Sequence, residues 1–140
     1  MNDVIINKVQ SIQRCVFRAR EEYGFNPKGF AKDYSRQDAA ILNVIRGCEQ
    51  AIDLANYVVR QLKLGIPTSS RDSFQRLGEH RVIDRELAES LGRMAHFRNF
   101  AVHQYEKIDI DIVAEVITKK LDDLVQFGDE VIDYCRLSDE

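Results

Sequence analysis

Residues Asp38–Leu62 read DAAILNVIRGCEQAIDLANYVVRQL. Ile41, Ile45, Cys48, Ile52, Ala55, Val59 and Leu62 recur at steps of three and four, the spacing of one face of an α-helix. Val44, Ala51 and Val58 widen that face at heptad spacing, which predicts a helix buried on two sides. Gly47, Ala51 and Ala55 are small enough to let a neighbouring helix approach closely. A helix covered on two sides needs other helices around it, so this stretch sets the expectation for the whole chain.

Working outward, Ser35-Arg36-Gln37-Asp38 has the form of a capping box, with Ser35 as the cap and Asp38 complementing the positive helix end. Before it, Ile5, Val9, Ile12, Val16, Ala19 and Tyr23 mark a first helix that a left-handed Gly24 would stop. Gly65-Ile66-Pro67 ends the second helix, and Thr68-Ser69-Ser70 offers caps for a short one over Arg71 to Leu77. Asp84 caps a third long helix with Leu87, Leu91, Met94 and Ala101 on its apolar side. Asp109 or Asp111 caps the last, whose stripe is Ile110, Val113, Ile117, Leu124, Val131 and Cys135, with Lys119-Lys120 and Asp122-Asp123 facing water. No strand-like alternation occurs. The short connections predict an all-α, up-and-down antiparallel bundle of four long helices and a short one, a single domain over residues 1–140.

A formal charge of -3 and a hydrophobic share of 44% describe an ordinary globular protein without a basic tail. All six bases between Arg71 and Arg98 are arginines, the side chain suited to phosphate, while residues 106–140 hold four bases and eleven acids. Three cysteines without a close pair argue against a disulfide framework and a zinc site. The opening MNDVIINKVQ lacks a secretory pattern, and no apolar run approaches the ~18–20 residues of a membrane crossing. The expected location is the cytoplasm.

The chemistry concentrates in Met94–Asp109, MAHFRNFAVHQYEKID. Arg98, Asn99, His103 and Tyr105 supply a fixed cation, an amide, an imidazole and a phenol within eight residues. On a helical wheel Arg98 and Tyr105 are nearly in line and Asn99 and His103 are neighbours, but Arg98 and His103 sit ~140° apart. Either the helix unwinds near His103, or the site is a groove receiving side chains from two directions, as a symmetric dimer would provide. Arginine with histidine suits metal-independent cleavage of RNA. The imidazole moves the protons of the 2′-OH and the leaving 5′-oxygen, and the guanidinium holds the phosphate. DNA lacks that nucleophile.

Residues Gly65 to Asp109, GIPTSS…LAESLGRMAHFRNFAVHQYEKID, resemble the HepT-type HEPN toxins, and the likeness extends over essentially the whole chain. Their motif is an Arg, commonly followed by Asn, Asp or His, then a His five positions after the Arg and a Tyr two beyond. Arg98, Asn99, His103 and Tyr105 fill those places, with Phe97 before them and the Pro67–Ser70 turn upstream. His96 departs from the family, standing where a small residue is expected. The resemblance implies a homodimeric HEPN-like bundle with a ribonuclease site between subunits. It implies Arg98, His103 and Asn99 as catalytic residues, and a toxin of a type II toxin–antitoxin system. It also implies an MNT-type nucleotidyltransferase antitoxin that transfers AMP from ATP to Tyr105, whose added bulk and charge would exclude RNA. No cofactor, membrane or DNA partner is implied.

Each residue also has a plainer reading. Arg98 could be a surface ion-pair partner, His103 a helix-end histidine, Tyr105 the edge of the core with a wet hydroxyl, and Asn99 a local hydrogen-bonding residue. Arg93 and His96 are candidate RNA contacts that would otherwise be solvated, and His80 reads as exposed. Arg71, Arg76, Arg81 and Arg85 form either an approach for RNA or, with the interleaved acids, a mixed surface. Two rival functions remain at this level. One is a non-catalytic subunit that binds nucleotide or substrate for a nucleotidyltransferase, and the other is a plain helical interaction protein.

Overall fold

The computed structural model describes residues 2–139, with side chains through Leu137. Its long elements are α1 (Asp3–Gly24), α2 (Tyr34–Gln61), α4 (Arg85–His103) and a last helix in two parts, α5 (Ile110–Glu115) and α6 (Leu121–Asp139). The short α3 (Ser70–Glu79) precedes α4, and 3₁₀ turns fill Pro27–Lys32 and Tyr105–Lys107. No strand occurs among the described residues. This is the all-α bundle expected from the periodicity.

Side-chain partners give the directions. Asn2 meets Tyr57, Lys8 meets Asp53 and Arg36 meets Glu22, so α1 and α2 are antiparallel. Ser90 donates to Asp123 and the Asp84 amide to Glu130, so α4 and α6 also run oppositely. Arg20 pairs with Asp122 and Gly128 lies against Val9, which sets α6 antiparallel to α1. The helices therefore alternate up and down around α2, which touches α1, α3, α4 and α6. Its double burial is as expected: Ala51, Leu54 and Ala55 are fully enclosed, and a Cβ on Gly47 would meet Cys15 of α1 and Leu124 of α6.

Several helix ends differ from expectation. Asp33, rather than Ser35, caps α2, its carboxylate accepting the Arg36 amide at 3.1 Å. The 3₁₀ turn over Pro27–Lys32 brings Asp33 to the start of the helix, so Asp38 falls beyond the first turn and is free to bond elsewhere. Gly24 does not take a left-handed conformation; the chain continues through Phe25 at φ −56° into that turn. Ser69 and Asp84 cap α3 and α4, and Asp109 caps α5, each through its side-chain oxygen. The last helix is interrupted by a π-turn over Val116–Lys120. There the Thr118 hydroxyl donates to the Ala114 carbonyl at 2.8 Å, competing with the regular backbone ladder. Lys119, Lys120 and Asp122 face water as expected, whereas Asp123 turns partly inward to accept from Ser90.

After α2 the left-handed positions are Lys63 at φ 56° and Gly65 at φ 99°. Gly65 is the sharper constraint, because a Cβ there would lie 2.5 Å from Nη1 of Arg76. That same nitrogen donates to the Leu64 carbonyl at 2.9 Å and ties α3 to the end of α2. Gly65→Ala is therefore expected to cost about 1–3 kcal/mol, a loss that urea unfolding would register as a lower midpoint at unchanged slope.

Candidate functional site

Helix α4 positions the site. Asp84 starts it by accepting the amides of Glu86 and Leu87, and Leu87, Leu91, Met94, Ala95 and Ala101 press it into the core. It remains α-helical through His103, and the Gln104 amide closes the last turn on the Phe100 carbonyl at 2.7 Å. The helix does not unwind between Arg98 and His103. The ~140° separation on the wheel therefore stands, and one copy of α4 turns these two side chains to different faces.

Arg98 is half-buried. Its Nη2 donates to Oε2 of Glu49 on α2 at 2.8 Å, and its Nη1 donates to Oδ1 of Asn99 at 2.9 Å. Its Nε is buried and has no hydrogen-bond partner among the described residues. An orphaned buried donor costs about 1–3 kcal/mol, a local penalty of the kind that collects at functional sites. Asn99 thus orients Arg98 rather than His103. The exposed His103 ends α4 with its ring free of hydrogen bonds among the described residues.

Tyr105 opens the 3₁₀ turn that follows. The residue is 42% exposed, yet its hydroxyl is not simply wet: it donates a hydrogen bond to Oδ1 of Asp38, across the bundle on α2. Partial burial and the neighbouring Asp38 carboxylate push the phenol up to about 12. Burial acts in the same direction on Cys48, whose thiol is pushed up to about 12 and is an inert part of the core.

Arg93 and His96 are both exposed and line a small cavity of about 200 Å³ with Phe97, Phe100, Ile108, Asp109 and Ile112. Arg93 also borders a second groove of about 250 Å³ shared with Arg71, Gln75, Ala88 and Glu89. The other arginines do not join one basic track. Arg76 is engaged by Asp72 and the Leu64 carbonyl, while Arg81 and Arg85 lie in a separate groove with Glu130 and Asp133. His80 caps α3 and is exposed, as the plainer reading has it. Among the described residues no group of His, Cys, Asp and Glu side chains could hold a metal ion.

The structure adds two residues to those expected from the sequence, Glu49 and Asp38. Both project from α2 onto the α4 segment, Glu49 to Arg98 and Asp38 to Tyr105. What the arrangement offers is a guanidinium held at a fixed place and an exposed imidazole, free of hydrogen bonds among the described residues, five residues later. Beside them is a phenol whose proton is already directed at a carboxylate.

Comparison with known proteins places the fold in a family. A family model described as Ribonuclease HepT-like matches residues 12–131. The mRNA nuclease HepT of Shewanella oneidensis is 45% identical over 131 residues, which span 94% of this chain and 98% of that protein. The solved structure of a tri-AMPylated Shewanella oneidensis HEPN toxin in complex with an MNT antitoxin is similar with a TM-score of 0.89 at 44% identity, covering 95% of this chain and 99% of that one. A toxin–antitoxin structure with AMP-PNP is similar to the same degree, with a TM-score of 0.89 at 43% identity over 94% of this chain and 99% of that one.

Proposed function

The chain belongs to the HepT-like ribonuclease family, and we propose that it is the RNA-cleaving toxin of a toxin–antitoxin pair, acting in the cytoplasm without a metal. The observation that carries this reading is the fixing of Arg98 between Glu49 and Asn99, five residues before an exposed and unencumbered His103. Arg98 binds the scissile phosphate and the additional charge of the pentacoordinate transition state. His103 accepts the 2′-hydroxyl proton or returns one to the 5′-oxygen, and the products carry 2′,3′-cyclic phosphates. Asn99 keeps the guanidinium in place. The exposed Arg93 and His96 extend the contact to neighbouring RNA.

Because one α4 does not bring Arg98 and His103 to a common face, the working site is a cleft between two copies of the chain. The exposed Phe100, Val102 and Ile112, at 39%, 44% and 50%, supply apolar surface beside the site for that pairing. The partner is a nucleotidyltransferase antitoxin that adds AMP to Tyr105. The added phosphodiester and nucleoside then exclude RNA by bulk and by charge. The likeness to a tri-AMPylated toxin held by its antitoxin supports this regulation over the reading as a passive nucleotidyltransferase subunit.

The test is expression alone and with the neighbouring nucleotidyltransferase, followed by assay of the purified protein in EDTA. Growth arrest relieved by the partner is expected, with RNA cut to cyclic-phosphate ends in the chelator and DNA left whole. A folded, unmodified protein that cut no RNA, or needed added metal to do so, would overturn the reading.

A further inference from the structure

Resting on the reading of Tyr105 as the AMP acceptor, we propose that Asp38 of the toxin itself is the general base for its own modification. On this proposal the acceptor side of the transfer is built into the substrate protein rather than supplied wholly by the antitoxin.

The geometry carries the assignment. The Tyr105 hydroxyl donates to Oδ1 of Asp38, and Asp38 is the side chain bonded to it among the described residues. An ionised carboxylate only accepts hydrogen bonds, so the phenolic proton points at the atom that would take it. Asp38 is also well anchored. It sits one turn into α2, behind the Asp33 cap, whereas Tyr105 lies on the short 3₁₀ turn beyond α4. Partial burial first, and then the Asp38 carboxylate, the charged side chain that acts on this phenol, disfavour its spontaneous ionisation. Preformed phenolate is therefore scarce at neutral pH, and attack needs proton removal in the transition state. A carboxylate plays this part for hydroxyl acceptors in kinase phosphoryl transfer.

The step balances without a redox partner. The Oη–Pα bond of the aryl phosphodiester forms as the bond from Pα to the bridging oxygen of ATP breaks. Pyrophosphate leaves with the electron pair, and the phenolic proton passes to Oδ1 of Asp38 and on to water. The product can no longer donate to Asp38, and its new negative charge lies beside the carboxylate. The hydrogen bond that positioned the substrate becomes a repulsion that releases the modified ring.

The experiment uses the full-length toxin with excess cognate nucleotidyltransferase, ATP and divalent cation, reading AMP addition at Tyr105 by intact mass and peptide mapping. Asp38→Asn keeps an oxygen able to accept the hydrogen bond but cannot take the proton; Asp38→Glu keeps the base. Asp38→Asn, with an unchanged melting temperature, is expected to slow the first transfer by about 100-fold or more, and Asp38→Glu by under about 10-fold. Difluorotyrosine at position 105, a more acidic phenol, should recover most of the loss in Asp38→Asn while changing the wild-type rate little. A wild-type rate in Asp38→Asn overturns the proposal. So does equal slowing of both variants without rescue by the fluorinated phenol, which would make Asp38 a positioning residue only. If the wild-type protein is modified elsewhere, or Tyr105→Phe is modified equally well, the underlying reading of Tyr105 fails instead.

Discussion

His103→Ala is expected to lower RNA cleavage by about 10²–10⁴-fold, the range removed with a positioned general acid or base, while the protein stays folded. The place of the residue makes this a clean experiment. His103 ends α4, is exposed, and makes no hydrogen bond among the described residues that the substitution would break. Substitutions at exposed positions outside buried networks usually change stability by no more than about 0.5 kcal/mol, and alanine has the higher helix propensity. The melting temperature should therefore move by no more than a few degrees. The imidazole acts in the transition state, so the loss belongs in kcat, with KM for RNA little changed. Arg98→Ala would be harder to interpret, since it leaves the Glu49 carboxylate without its cation and frees Asn99. Single-turnover cleavage of one defined RNA by purified, unmodified protein is the measurement. A folded His103→Ala protein that cuts at the wild-type rate rules out the mechanism.

The parts of this molecule legible in the sequence are those governed by local periodicity. The stripes of α1, α2 and α4 and the cap Asp84 follow from neighbours a turn or less away, and Ser69 and Asp109 are the caps taken from the sets Thr68–Ser70 and Asp109 or Asp111 that the sequence leaves open. At the start of α2, Ser35-Arg36-Gln37-Asp38 satisfies the capping-box pattern, but Asp33 satisfies the geometry once the preceding turn has formed. The π-turn at Val116–Lys120 is not legible in the apolar stripe, because Val116 and Ile117 stay buried through it and the exposed Thr118 bonds the local Ala114 carbonyl. For the site, the motif side chains were legible, but the residues that hold them were not. Asp38 and Glu49 are eleven positions apart and share one side of α2 within about 20°, while Arg98 and Tyr105 lie on the end of α4 and on the turn that follows it. Two acids on one helix, facing a guanidinium near the end of an antiparallel helix and a phenol on the turn just beyond it, form a matched pair of patterns. Each half alone is an ordinary surface arrangement, and only the packing of α2 against α4 makes them complementary.

Phe127→Ala is expected to be the most damaging of the scaffold changes, at about 3–5 kcal/mol, out of a total stability of roughly 5–15 kcal/mol for a domain. Phe127 of α6 is fully enclosed, and its ring meets Phe74 of α3 edge to face, with centroids 5.4 Å apart at 82°. The contact matters because α3 has ten residues, too few to persist as an isolated helix in water. It is held by Phe74 and Leu77 in the core, and by Gly78 at a crossing so close that a Cβ would lie 2.9 Å from the Cβ of Ala88. Removing the Phe127 ring leaves a void that Phe74 cannot fill without moving α3 off α4. For a chain of 140 residues the loss corresponds to a fall of about 10–17 °C in melting temperature. The site should be spared at low temperature. Phe127 lies near the start of α4, where Asp84 bonds Glu130 and Ser90 bonds Asp123, whereas Arg98 and His103 occupy its far end. Calorimetry and cleavage assays well below the new transition separate the two effects. A protein that melts early but cuts RNA normally when cold places this aromatic pair in the scaffold. Lost activity in the fully folded protein would mean that the seating of α3 is transmitted along α4 to Arg98.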